Sequence, residues 1–219
     1  MPIMRNLEPP PTLRDMALQA IKDAVLSNKL KPGNFYNERN LANELGISKT
    51  PIREALLDLS MRGFITIFPR RGFQVNTLTE KNIQDLFEFR MALEKAVILH
   101  IAPNISNESI TKIEVINKKA ADSLGQMGFL RYDREMHRYL ASLTRNQYII
   151  SALENVRDLI EWAGAKVLSI KGRSEEALQE HIVITKMLKK RDVAGAVKEM
   201  EEHLRITETR VLSQVTSEK

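Results

Sequence analysis

None of the 219 residues is a cysteine. This excludes a disulfide framework, a thiolate zinc finger, an iron–sulfur site and a thiol nucleophile. Aromatic residues are sparse, at 5% with a single tryptophan. Long apolar runs are missing too: Ala96-Val97-Ile98-Leu99 stops at His100, far short of the roughly 18 residues that span a membrane. Near the start, Arg5 is followed by Pro9-Pro10-Pro11 rather than an apolar stretch. No secretory signal is therefore expected, and the cytoplasm is the expected compartment. What is present, 43% hydrophobic and 28% charged residues, is the composition of an ordinary folded protein.

The net charge of +5 says less by its size than by its distribution. Residues 1–77 hold 11 Lys and Arg against 7 Asp and Glu, whereas residues 78–219 hold 22 against 21. That pattern suggests a basic binding module, 1–77, followed by an electrically balanced domain, 78–219.

The first module reads as a winged helix-turn-helix. Leu13, Met16, Ala17, Ala20, Ile21 and Ala24 give an apolar face to a helix from Thr12 to Ser27, closed by Pro32-Gly33. A short second helix is capped by Asn37, turns Leu41, Ala42 and Leu45 inward and ends at Gly46. Ser48 can cap a third, which buries Ile52, Ala55, Leu56 and Leu59 and ends at Gly63. Two such helices joined by a short Gly-containing turn form a helix-turn-helix. Lys49, Thr50 and Arg53 stand at the end of the third helix that enters the major groove in such motifs. Arginine suits that place because its planar fork meets O6 and N7 of guanine, and the hydroxyls of Ser48 and Thr50 suit phosphate. Residues 64–68 and 72–75 then bracket Pro69-Arg70-Arg71, a hairpin with a basic tip that could touch phosphate or the minor groove.

The string Leu45-Gly46-Ile47-Ser48-Lys49-Thr50-Pro51-Ile52-Arg53-Glu54-Ala55-Leu56, preceded by Asn37-Glu38-Arg39-Asn40-Leu41-Ala42 and followed by Arg70-Arg71-Gly72-Phe73, resembles the GntR family of bacterial transcription regulators. The resemblance implies DNA contacts at Arg39, Lys49, Thr50 and Arg53, and a wing tip that Gly72 allows to approach the minor groove. The family usually has Arg in place of Lys49.

The second domain reads as an antiparallel bundle of six helices, roughly 79–102, 106–124, 127–143, 146–170, 174–190 and 192–216. Gly125 to Gly128 would separate the second of these from the third, and Gly172 would end the fourth. Several inward stripes carry polar residues. One runs Leu130, Asp133, His137, Leu140, Thr144; others run Leu178, His181, Ile184, Leu188 and Val193, Ala196, Met200, His203, Thr207. Along the first helix the stripe is Ile83, Leu86, Arg90, Leu93, Val97, Ile101, and along the fourth it runs from Ile149 to Ile170. Buried imidazoles and carboxylates are costly unless paired or metal-bound. Two readings stand: hydrogen-bonded core histidines, or a shared site of Asp133, His137, His181 and His203 for Zn, Ni, Fe or Mn. Arg90 likewise either bridges to Glu94 one turn on or faces a pocket for an anion.

Phe89-Arg90-Met91-Ala92-Leu93-Glu94, Asp133-Arg134-Glu135-Met136-His137, Glu180-His181 and Met200-Glu201-Glu202-His203 resemble the FCD effector domain of the FadR-like GntR branch, and six helices are closer to its VanR-like variant. The pattern usually has Phe at Met136. This resemblance implies a divalent ion, zinc or nickel first, on Asp133, His137, His181 and His203, with a small organic acid held beside it by Arg90. It implies a homodimer on a palindromic operator of double-stranded DNA, with repression the commoner mode in the family. Two alternatives are a regulator whose metal is structural or is itself the signal, and a metalloenzyme domain. Against the last, there is no His-Glu-x-x-His motif, and Glu135 should face away from the ion. No enzymatic activity and no membrane partner are expected.

Overall fold

The computed structural model describes residues 10–124, 127–163 and 172–217. The chain divides into two compact units, Met1–Thr77 and Leu78–Lys219. The first contains α1 (Leu13–Leu26), β1 (Phe35–Tyr36), α2 (Glu38–Leu45), α3 (Lys49–Met61), β2 (Ile65–Phe68) and β3 (Gly72–Val75). Thr12 and Asp15 form a capping box at the start of α1, which satisfies two helix-end donors that would otherwise lack partners. Asn37 accepts from the backbone N–H of Arg39 and so caps α2. Gly46 ends that helix at φ 66°, a left-handed conformation glycine adopts without steric cost.

The first core differs in detail from the periodicity. Helix α1 buries Ala17, Ile21 and Val25, whereas Leu13 and Met16 are about half exposed. The packed stripe is therefore rotated relative to the one read from the sequence, and α1 lies against α3 on that side. Leu45 is also exposed. It is the last residue of α2 and lines an open groove with Ala20, Ala24 and Phe35. Ser48 takes the cap backbone conformation at the start of α3, but its hydroxyl makes no cap hydrogen bond.

The wing is part of a three-stranded sheet in the order β1-β3-β2, antiparallel throughout. Strand β1 has no signal in the sequence: two residues are too few for alternation to register. Its pairing gives Gly72 a role inside the fold. Gly72 sits at φ 103°, and a Cβ there would collide with the carbonyl oxygen of Tyr36 on β1. We expect Gly72→Ala to cost about 1–3 kcal/mol through strain and displacement of β1. Urea unfolding of the first unit would measure this, and a loss below about 0.5 kcal/mol would refute the packing account.

In the second unit the described helices are α4 (Glu80–Ile101), a 3₁₀ turn (Ala102–Asn104), α5 (Asn107–Ala121), α6 (Met127–Leu143), α7 (Gln147–Ala163), α8 (Arg173–Lys190) and α9 (Val193–Ser217). Gly128 lies within α6, so only the segment before Met127 separates it from α5; Gly125 itself is outside the described residues. Gly172 is the N-cap of α8, and Val167 and Ile170 of the expected fourth-helix stripe lie outside the described residues. Helix α4 packs against α7 and α9, α9 against α8, and α5 against α6 and α8. The main core gathers Val97, Ile101, Ile113, Met136, Leu140, Ile184, Leu188, Met200 and Leu204. Further apolar clusters form around Phe87, Val156 and Val211, and around Phe129 and Leu178. No helix among the described residues is long and apolar enough to cross a membrane.

Candidate metal centre and nucleic-acid interface

The stripes on α6, α8 and α9 meet. Asp133, His137, His181 and His203 each offer a ligand atom, and these atoms lie within 4.8 Å of one another. Nε2 of His203 is 3.2 Å from Nε2 of His137 and 3.4 Å from Nε2 of His181. Oδ1 of Asp133 is 3.4 Å from Nε2 of His181. Bonds of about 2.0–2.1 Å to one ion, at angles of about 90–110°, would space neighbouring donors about 3.0–3.4 Å apart. The three imidazoles are buried, and Asp133 retains about a fifth of its side chain exposed.

Carboxylates behind the imidazoles set their tautomers. Nδ1–H of His203 donates to Glu180 at 2.6 Å. Oε1 of Glu94 lies 2.9 Å from Nδ1 of His137, close though not in line for a hydrogen bond. Both carboxylates favour a proton on Nδ1, which leaves a lone pair on Nε2. In His137 and His203 those lone pairs converge, an arrangement that repels without a cation and suits one. Burial pushes the His137 imidazole down to about 4, against the attraction of Glu94. Burial, then the neighbouring His203, pushes His181 well below the usual range. Such neutral imidazoles are what a metal ion requires. Burial opposes the charge of Asp133, but His181, His137 and Arg157 outweigh it and hold the carboxyl well below the carboxylate range.

Arg90 takes the first of its two sequence alternatives, the bridge to Glu94 one turn on. Arg90 is inward and only 5% exposed, with Nε 3.6 Å from Oε1 of Glu94. Nη2 of Arg157 donates to the same oxygen at 2.9 Å. Oε1 of Glu94 thus serves three cationic or polar neighbours, while Oε2 of Glu94 and Nε of Arg90 have no hydrogen-bond partner among the described residues. Burial and the adjacent Arg157 lower Arg90 to about 10, against Glu94, so it stays cationic at neutral pH. Burial also works against ionisation of Glu94, yet His137, Arg157 and Arg90 hold it well below its ordinary value. On the far side, Arg173 grips Glu180 at 2.8 and 3.0 Å and reaches Thr207.

Four of these residues escape a reading of periodicity. Glu94, Arg157, Arg173 and Glu180 surround the four candidate ligands, and spacing along the chain gives none of them a site role. A signal existed for two of them: Glu94 is one turn after Arg90, and Arg157 lies one turn after Leu153 on the packed side of α7. His100 is exposed and apart from the cluster.

On the first unit, Arg39, Ser48, Lys49, Thr50, Arg53, Arg70 and Arg71 are all exposed, and Gly72 is half-buried. Arg53 donates through Nε to Glu38 at 2.7 Å. Arg70 turns the wing tip at φ 65°, and the guanidinium of Arg71 lies 4.8 Å from the ring centre of Phe35.

Comparisons with known proteins agree with this architecture. Residues 13–75 match the model described as bacterial regulatory proteins, gntR family, and residues 85–206 match the FCD domain. The chain is 28% identical over 182 residues to the uncharacterized HTH-type transcriptional regulator YdhC of Bacillus subtilis, covering 80% of each chain. It is 23% identical over 212 residues to the HTH-type transcriptional repressor RspR of Escherichia coli, covering 93% of this chain and 91% of that one. Among solved structures, E. coli McbR/YncC superposes with a TM-score of 0.78 at 18% identity, over 94% of this chain and all of that one. The matched families and relatives are transcription regulators and not enzymes. The chain belongs to the GntR family of bacterial transcription regulators and carries an FCD effector domain.

Proposed function

We propose that the protein is a cytoplasmic repressor that binds a palindromic operator as a homodimer and releases it when a small organic acid enters the second unit. The first unit, 1–77, reads DNA, and the second, 78–219, holds metal and effector and dimerises. Asp133, His137, His181 and His203 would hold a divalent ion, zinc or nickel by their nitrogen and oxygen donors. When bound, that ion supplies positive charge and open coordination positions for a carboxylate oxygen. The observation that carries the reading is the buried cluster itself: Asp133, His137, His181 and His203 bring their ligand atoms within 4.8 Å of one another, and Nε of Arg90 has no hydrogen-bond partner among the described residues. The two guanidiniums of Arg90 and Arg157 already balance Glu94 and Asp133. A divalent ion would leave the pocket two positive charges in excess, which favours an anion. Arg90 would donate to it and help orient it.

On DNA, Arg53 and Lys49 would meet base edges, while Arg39, Ser48, Thr50, Arg70 and Arg71 would hold phosphate or the minor groove and Gly72 would allow the wing tip to come close. Effector and operator affinities are linked, and a tenfold change in DNA affinity needs about 1.4 kcal/mol of coupling.

The test has two arms. Replacing His137 and His203 together by alanine should abolish bound metal in elemental analysis, and full occupancy would refute the ligand set. Arg53→Ala should weaken specific binding by about 1–3 kcal/mol while changing random-sequence binding much less. Equal losses on both at one salt concentration would refute base reading by Arg53.

A further inference from the structure

The Arg53–Glu38 pair joins the two helices of the helix-turn-helix across the exposed face that carries Lys49 and Thr50. Arg53 is the fifth residue of α3 and its side chain is 65% exposed; Glu38 is the first residue of α2 and 25% exposed. Among the described residues, the guanidinium is committed through Nε alone, to Oε2 of Glu38 at 2.7 Å. The two Nη groups of the fork have no partner among the described residues, and an end-on fork is the form that meets guanine bidentately.

An exposed pair of this kind adds little to the stability of the free protein. Its consequences fall on DNA binding. A long, flexible arginine loses rotamer freedom when it docks, and Glu38 imposes part of that order beforehand. On DNA without the matching base, an unrestrained arginine swings to the nearest phosphate and still gains affinity. Glu38 opposes this by holding Nε and by placing a negative charge near the phosphates. It therefore lowers binding to wrong sequences while favouring the right one, a repulsive element of specificity.

We propose that Glu38 is a positioning residue that presents the Arg53 fork to a base edge and so raises discrimination between operator and other DNA. This rests on the reading of Arg53 as a base-contacting residue.

The test uses the full-length chain and two duplexes: one that the wild-type protein enriches from a randomised pool, and its scrambled counterpart. Both are titrated at a single physiological salt concentration. Glu38→Ala should lower affinity for the enriched duplex and raise it for the scrambled one, reducing their ratio by about fivefold or more. Glu38→Gln keeps an acceptor oxygen at the same reach. It should restore most of the ratio while scrambled-duplex affinity stays raised. A merely structural role for Glu38 would lower both affinities together with the melting temperature, and a merely electrostatic one would raise both equally. Either result overturns the proposal. Arg53→Ala separates the levels: if it collapses the ratio while Glu38→Ala leaves it intact, Glu38 has no positioning role. If Arg53→Ala leaves the ratio unchanged, the base-contact reading fails and the role of Glu38 with it.

Discussion

Glu94→Ala is expected to destabilise the second unit by about 3–5 kcal/mol, enough to unfold a domain of ordinary stability at growth temperature. Glu94 is fully buried, and its Oε1 lies 2.9 Å from Nη2 of Arg157 and 3.6 Å from Nε of Arg90. Truncation leaves two guanidiniums in the core with Asp133 as their one nearby counter-charge among the described residues, together with a cavity. Glu94→Gln keeps the shape and one acceptor and should be milder, about 2 kcal/mol. Either change also removes the charge behind Nδ1 of His137, so metal affinity should drop by about 10–100-fold. Urea unfolding and metal titration would check both effects. A cost for Glu94→Ala within about 1 kcal/mol would mean that the ion cluster is not the keystone of this core.

Chelation is expected to lower stability by a similar amount. A ligand that binds only the folded chain at about a thousand times its dissociation constant contributes about 4 kcal/mol. That corresponds to a melting temperature lower by about 10 °C in a protein of this size. The stripped protein should also become acid-labile in a defined window. His137 is held at about 4 when folded, below the 6.5 of an unfolded histidine. Between those values the unfolded chain binds the extra proton, so stability is complete above about pH 6.5 and is lost as pH falls to about 4. The loss is about 3 kcal/mol for this residue. His181, lowered further, adds to the loss. The lowered carboxylates of Glu94 and Asp133 contribute stability above the ordinary carboxylate range and lose it below, in the same direction. The metal-dependent gain should shrink on acidification, because protons and metal compete for the same nitrogens. A stripped protein as stable at pH 5 as at pH 7.5 would count against buried neutral imidazoles. If chelation alone releases operator DNA, with no organic acid present, the metal is itself the signal.

Much of this was legible along the chain because the relevant signals are local. The turn from Leu45 through Ser48 into Pro51, the basic tip Pro69-Arg70-Arg71, and the polar breaks at Asp133, His137, His181 and His203 in otherwise apolar stripes all depend on spacing within a few helical turns. Periodicity alone placed those four residues on inward faces, and the fold brings them within 4.8 Å of each other.

The remainder depended on which segments meet, and no local spacing encodes that. Strand β1 exists only because Phe35 and Tyr36 pair with Gln74 and Phe73. Leu13 and Met16 lost their expected burial because α3 docks on the neighbouring face of α1. Glu180 reads as an ordinary surface glutamate until α9 brings His203 against it, and Glu94 as an intrahelical partner of Arg90 until α6 and α7 supply His137 and Arg157. A charged side chain in isolation prefers water, so its sequence position argues for the surface. Only the partners assembled by tertiary packing make its burial affordable and turn a row of histidines into a tuned site.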